Sequence, residues 1–319
     1  MEQKKLKVIF FGTPEFSLPS LQALLESPDF EVITVVTQED KKTGRRQELT
    51  KPPVKKLAEH HNIPVLQPHN LRRNRPFTDL MNKLATDFIV VVAYGKIIPA
   101  EILDLPKYGC INVHASLLPK YRGASPIEAA LLHGDTETGI SIMKMNEKLD
   151  GGDICLIQKI QITAQDNAET LGIKLSFAGG SILPHVLKDM ASGEIRCISQ
   201  EESKSSYCGK IKKDDGLIDV NRLNALEILN CIRAYTPWPA CFLNVDGKRL
   251  KIIDARTDLQ RNAPPGSIME LKNGMIGIGT KKGLLIPEKV QLEGKKVMTI
   301  QEFLRGNRAL LAKLETRPR

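Results

Sequence analysis

Apolar residues follow two rhythms along this chain of 319 residues. Through 1–191, short apolar runs alternate with stretches whose apolar residues recur every three or four positions, the patterns of buried strands and of helices with one covered face. The runs at 6–11, 30–37, 87–93, 110–114, 139–144 and 154–162 predict strands, with a shorter one at 65. The periodic stretches predict helices over 17–26, 54–61, 75–84, 126–133 and 168–191, the last with an irregularity at Gly179-Gly180 and Pro184. Phe88-Ile89-Val90-Val91-Val92 is apolar without interruption, which places it at the centre of a parallel sheet covered on both faces. Strands and helices in alternation predict an α/β fold with a Rossmann-like, mostly parallel sheet. A single glycine, Gly12, follows the first strand, so the dinucleotide-binding fingerprint is missing.

Beyond 191 the rhythm changes. Residues 192–207 are polar and rich in Ser and Glu, as a linker is. From 208 on, one helix over 225–234 precedes short strands near 241–245, 250–254, 266–270, 275–279 and 284–286, separated by Gly, Pro and Asn turns, which predicts a small antiparallel β-barrel. The expected organisation is a first domain over 1–191, a linker over 192–207 and a second domain over 208–319. Within the first domain, 38–53 contains Glu39-Asp40-Lys41-Lys42-Thr43-Gly44-Arg45-Arg46 and nothing apolar at a useful period, so an exposed, mobile loop is expected there.

Charge sharpens this division. The net charge is +9; residues 208–319 hold 21 Lys and Arg against 12 Asp and Glu, and the remainder holds 25 against 25, so the whole excess lies in the second domain. A neutral domain followed by a basic one suggests chemistry in the first and a polyanionic partner on the second, although a solvated basic surface has the same composition. Six cysteines are scattered without Cys-x-x-Cys spacing, which indicates reduced thiols and neither a zinc site nor a disulfide framework. No apolar run is long enough for a membrane span and the start carries no signal-peptide pattern, so a cytoplasmic chain is expected.

The chemistry concentrates in Cys110-Ile111-Asn112-Val113-His114-Ala115-Ser116-Leu117-Leu118-Pro119. Asn112 and His114, two apart at the end of a strand, project to one face, and open α/β sheets bind ligands outside the carboxyl ends of their strands. Some thirty residues later, Asp150-Gly151-Gly152-Asp153 forms a tight turn able to bring a carboxylate to that strand end. A lone strand-end histidine is commonly structural and an Asp-Gly pair commonly a plain turn; their joint occurrence favours a site.

With Phe10-Phe11-Gly12-Thr13-Pro14, Val92-Ala93-Tyr94-Gly95 and Cys231-Ile232-Arg233-Ala234-Tyr235-Thr236-Pro237-Trp238-Pro239, these motifs resemble, in order and over almost the whole length, the formyltransferases that use 10-formyltetrahydrofolate. The resemblance implies an OB-like second domain, catalytic roles for Asn112, His114 and Asp150, and no metal. It also implies folate contacts from Ser116, Leu117, Leu118, Pro119, Tyr94 and Gly95. The acceptor it implies is the α-amine of initiator methionyl-tRNA, and a monomer is expected. In that reading Asn112 and His114 donate to an oxyanion while Asp150 orients His114 or relays protons. Lys41, Lys42, Arg45 and Arg46, in the loop after the second strand on the carboxyl-end side of the sheet, are placed to reach the tRNA, the resemblance pointing to Gly44-Arg45 in particular; a solvated, uninvolved charged loop is the alternative. Gly151 departs from the pattern, where threonine is expected, and leaves the carboxylate's loop less constrained. The alternatives are an amino-sugar nucleotide as acceptor, against which the basic second domain argues, and a non-catalytic RNA-binding protein on the same scaffold.

Overall fold

The computed structural model describes residues 4–44, 47–311, 314 and 315. Its elements in chain order begin with β1 (Leu6–Gly12), α1 (Leu18–Glu26), β2 (Phe30–Val36), β3 (Lys41–Thr43), β4 (Glu48–Thr50), α2 (Pro53–His60), β5 (Val65–Leu66), α3 (Arg75–Lys83), β6 (Phe88–Val92) and α4 (Ala100–Leu103). They continue with β7 (Cys110–His114), β8 (Arg122–Gly123), α5 (Pro126–Leu132), β9 (Glu137–Lys144), β10 (Ile154–Gln161), α6 (Ala168–Ser192) and β11 (Tyr207–Cys208). Two compact units result: 1–126, 137–161 and 172–208 form the first, and 127–136, 162–171 and 209–319 form the second.

The first unit is built on a seven-stranded sheet of order β10-β9-β7-β6-β1-β2-β5. The strands from β7 through β5 are parallel, while β9 and β10 add an antiparallel edge. As its unbroken apolar run requires, β6 is central, and all five of its residues are buried. Ile9, Phe11, Ile89, Val91 and Cys110 cluster with Phe77 and Met81 of α3 and Ile102 and Leu103 of α4. Alternation sends Val113 to the opposite face, where α6 lies. Fully buried side chains such as Phe10, Phe11 and Phe88 each contribute about 1.5–3 kcal/mol by leaving water.

Gly179 and Gly180 do not break α6. A Cβ on Gly179 would lie 2.7 Å from Cγ1 of Val113, and one on Gly180 would lie 2.7 Å from the Pro19 carbonyl carbon, so these glycines let the helix approach the sheet and α1 closely. The helix also continues through Pro184.

Two further expectations need correction. The charged stretch 38–53 holds an antiparallel hairpin, with Lys41 opposite Thr50 and Lys42 opposite Leu49; Arg45 and Arg46 fall outside the described residues. Strands of three residues, exposed at Lys41, Lys42, Glu48, Leu49 and Thr50, carry no apolar period, which is why the pattern hid them. The cysteines are not all thiols either: Cys155 and Cys197 form a disulfide, with Cα atoms 4.0 Å apart. Ile154 and Ile198 exchange two 2.8 Å backbone hydrogen bonds and so align their neighbours, a pairing that a separation of 42 residues conceals in the sequence. Cys110, Cys208, Cys231 and Cys241 are free, and burial pushes the Cys231 thiol up to about 11, which keeps it protonated at neutral pH.

In the second unit, α7 (Ala225–Ala234) starts where Asn224 and Glu227 form a reciprocal cap. It is followed by β12 (Cys241–Val245), β13 (Lys248–Asp258), β14 (Ile268–Glu270), β15 (Ile276–Gly279), β16 (Leu284–Leu292), β17 (Met298–Thr299), α8 (Ile300–Leu311) and β18 (Leu314–Glu315). The strands form an antiparallel, barrel-like sheet of order β14-β15-β16-β13-β12-β18, with β17 on β16. The register of β13 slips near Asp254, where such irregularities bend a strand. Helix α8 was not expected; it buries Ile300, Phe303 and Leu311, but Gly306 and a non-helical Asn307 interrupt its sequence signal.

The tight seat of α6 generates a prediction: Gly180→Ala lowers unfolding stability by about 1–3 kcal/mol in urea titration, because the new methyl meets backbone that cannot yield. An unchanged midpoint would show that α6 can draw back without loss.

Candidate active site

Strand β7 delivers Asn112 and His114, 8% and 6% exposed, on the face that carries Cys110. The chain then closes into a short loop. Ser116 Oγ donates to the Lys120 carbonyl at 2.6 Å, and Ser141 Oγ donates to the Ser116 carbonyl at 2.7 Å while accepting the Leu118 N–H at 3.0 Å. These bonds occupy the Ser116 hydroxyl and the Leu118 amide, and leave Leu117 and Pro119 partly exposed on the loop.

Because β9 runs antiparallel to β7, the segment after Lys144 starts near the amino end of β7 and must fold back to reach His114. It does so through Gly152, where a Cβ would stand 1.8 Å from the Lys144 carbonyl oxygen; only glycine fits. Asp150 takes a left-handed backbone (φ 48°) and its carboxylate is held from two sides. Gly123 N–H donates to Oδ2 at 2.8 Å and Asn112 Nδ2 to Oδ1 at 3.4 Å, while His114 Nδ1 lies 3.8 Å from Oδ2. His114 Nε2 is 3.0 Å from the Tyr121 carbonyl. A carbonyl can only accept, so Nε2 carries a proton and Nδ1 is the nitrogen that faces the carboxylate. The imidazole N–H expected to serve an oxyanion is therefore engaged by the backbone.

Behind this group lies a charged support around Arg122, whose partners come from the stretch 192–207 that the sequence reading took for linker. Arg122 is fully buried; its guanidinium donates to Gln200 Oε1 (3.1 and 2.9 Å), to both oxygens of Glu202 (2.9 and 3.1 Å) and to the Tyr207 hydroxyl (3.0 Å). Burying a guanidinium is unfavourable unless its donors are met, and here the partners are in place. Glu202 raises the pKa of Arg122, and Arg122 in return holds the Glu202 carboxyl below the usual range. Gln200 Nε2 donates to the carbonyls of Asp150 and Gly152 at 2.8 and 2.7 Å.

At the carboxyl end of β6, the Tyr94 carbonyl accepts from Thr13 Oγ1 at 3.1 Å and Gln38 Nε2 at 2.8 Å. The Tyr94 ring belongs to the core, edge-on to Phe11 with centroids 5.2 Å apart. Burial pushes its pKa up to about 12, so the phenol is neutral at physiological pH. Of the expected Tyr94-Gly95 pair, the tyrosine side chain is thus spent on packing, and backbone is what remains to meet a ligand. Gln38 also anchors the base of the hairpin: its carbonyl accepts from Gln67, which with Asp40 grips Lys55 Nζ at 2.8–2.9 Å. Lys41 and Lys42 are exposed on that hairpin.

Residues 4–187 match the family model described as formyl transferase, and 210–308 match its C-terminal domain. The chain belongs to the formyltransferase family. The methionyl-tRNA formyltransferase of Desulfotalea psychrophila is 44% identical over 307 residues, covering 96% of this chain and 94% of that one. That of Geobacter sulfurreducens is 42% identical over 303 residues, covering 95% and 94%. Among solved structures, the N-formyltransferase from Helicobacter canadensis, in complex with folinic acid and dTDP-3-aminofucose, matches with a TM-score of 0.66. It is 18% identical and covers 88% of this chain and 98% of that one, a likeness of fold.

The candidate site gathers Asn112, His114 and Asp150 beside the Ser116–Pro119 loop, and brings to them Arg122, Gly123, Gln200 and the Tyr121 carbonyl, which sequence reasoning missed. An arginine in a loop and a glutamine in a polar stretch look solvated until the fold pairs them. Among the described residues, no group of three His, Cys, Asp or Glu is arranged to hold a metal, and no helix is long and apolar enough to cross a membrane.

The Tyr94 hydroxyl is buried with no hydrogen-bond partner among the described residues. Removing an unmet polar group relieves its desolvation penalty, so Tyr94→Phe should hold or raise the melting temperature, by the equivalent of up to about 1–3 kcal/mol. A clear fall in the thermal melt would mean that the hydroxyl makes a bond essential to the fold.

Proposed function

We propose that this chain transfers the formyl group of 10-formyltetrahydrofolate to the α-amine of initiator methionyl-tRNA, producing N-formylmethionyl-tRNA for translation initiation. The observation that carries this reading is the carboxylate–amide–imidazole group of Asp150, Asn112 and His114, found in a chain 44% identical to a methionyl-tRNA formyltransferase along 96% of its length. In this reading 1–191 holds the chemistry, 192–207 links, and 208–319 holds tRNA. The folate lies against Ser116, Leu117, Leu118, Pro119 and the backbone at Tyr94-Gly95, with Leu117 and Pro119 offering the apolar surface a pterin pocket needs.

The amine nitrogen forms a bond to the formyl carbon and gives up a proton, and the carbon–nitrogen bond to folate then breaks, with a proton passing to the folate nitrogen. Asn112 is suited to donate to the oxygen that gains charge. The Tyr121 carbonyl fixes the imidazole with Nδ1 toward Asp150, so the amine's proton has a basic pair to enter. Lys41, Lys42, Arg45 and Arg46 are assigned to the acceptor end of the tRNA, where cationic side chains meet phosphates. The protein acts in this reading as a cytoplasmic monomer. An amino-sugar nucleotide acceptor is the second reading, favoured by the fold shared with the Helicobacter canadensis enzyme.

The deciding assay supplies 10-formyltetrahydrofolate with charged initiator tRNA or with amino-sugar nucleotides. Transfer to tRNA is expected, and transfer to the sugar alone would overturn the proposal. Asn112→Ala, His114→Ala and Asp150→Ala should each lower kcat on tRNA at least about a hundred-fold with the fold intact by circular dichroism. Near-parental turnover in any of them removes that residue from the mechanism.

The charge of the second domain leads to another expectation. If 208–319 grips phosphates, tRNA affinity falls linearly on a log–log plot against salt, with a slope near −0.9 for each phosphate neutralised on duplex RNA by analogy with B-DNA. A salt-independent Kd between about 50 and 200 mM would remove the phosphate role.

A further inference from the structure

We infer that Gln200 is a positioning residue for Asp150, acting through the main chain of the 150–152 loop; this rests on the formyl-transfer reading above. A carboxamide has two N–H donors and one carbonyl acceptor, and Gln200 uses all of them: Nε2 meets the carbonyls of Asp150 and Gly152, and Oε1 takes two bonds from Arg122. Its orientation is fixed by chemistry. Turned over, its oxygen would face two carbonyls and its NH₂ a guanidinium.

The two carbonyls stand on either side of Gly151, which has no side chain to brace the turn, so Gln200 supplies the bracing from outside. Arg122, which holds Gln200, precedes Gly123, whose N–H donates to the Asp150 carboxylate. Residues 122, 123 and 200 therefore form one support that reaches Asp150 by both its backbone and its side chain. The support is anchored to the strand leaving the loop, through the Ile154–Ile198 pair and the Cys155–Cys197 disulfide. Displacing a catalytic group by about 1 Å can lower turnover on the order of a hundred-fold, so a hold on two carbonyls has kinetic consequences.

Gln200→Glu preserves volume and an acceptor for Arg122 but replaces the donors with an oxygen opposed to two carbonyls; Gln200→Met preserves volume alone. Both are expected to lower kcat for formylation of charged initiator tRNA by about ten- to a hundred-fold, with KM for tRNA and for folate within about three-fold. A purely space-filling role would leave both at the parental rate. In an Asp150→Ala background, adding Gln200→Glu should cause no further loss, because Gln200 acts only through that residue. Parental kcat in Gln200→Glu, a loss confined to KM, or an undiminished additional loss in the Asp150→Ala background would each overturn the inference. Failure of both single variants to fold would also overturn it, by making Gln200 a requirement of the fold. The parent enzyme separates the two levels: if it does not formylate tRNA, the functional reading fails, whereas an active parent with unaffected Gln200 variants leaves that reading standing and removes the role of Gln200.

Discussion

A carboxylate that is largely covered must be met by donors, yet if it is to work on a proton the donors must not consume it. Asp150 satisfies both conditions. One backbone N–H and one side-chain amide hold its two oxygens, and the imidazole stands 3.8 Å away, close enough for charge to be felt and too far for a committed hydrogen bond. The surrounding architecture serves this spacing. An antiparallel β9 carries the chain away from the site, the requirement for glycine at 152 folds it back, and the Arg122–Gln200 pair holds it there.

The second organising contact is the Tyr94 carbonyl, which accepts from Thr13 after β1 and from Gln38 after β2. Three strand ends are thereby joined at one oxygen. The hairpin that follows Gln38 is exposed at Lys41 and Lys42 and over 48–50, but its root is tied by Asp40, Lys55 and Gln67. Lys41 and Lys42 are thereby presented to solvent from a fixed root.

The repetitive features of the fold were legible in the sequence. The helix over 225–234 and the strand over 241–245 emerge with the expected bounds, and β6 lies where its apolar run placed it. Asn112 and His114 were legible because a strand end and a two-residue spacing dictate a shared face. What failed to show in the sequence either had no apolar period or depended on long-range pairing. The hairpin strands are too short and polar for an apolar period, the disulfide partners meet only because Ile154 and Ile198 pair, and Gln200 gains significance only beside a buried Arg122. Periodicity reports which face of an element is covered. It does not report which distant polar residue completes a buried network.

The placement of positive charge follows the same logic. In the neutral part of the chain, Arg122 is inside, where its donors are fully committed and cannot attract a polyanion. In the basic part, several arginines pair with carboxylates near the surface: Arg249 with Asp214, Arg256 with Glu288 and Arg261 with Asp258, each pair with one exposed and one half-exposed member. Exposed pairs are weak because water and salt screen them, so these arginines can exchange a carboxylate for a phosphate at little loss. A phosphate chain also releases condensed counterions, which a protein carboxylate does not. The pairs on this surface therefore remain open to exchange with another anion, while Arg122, with its donors committed inside, does not.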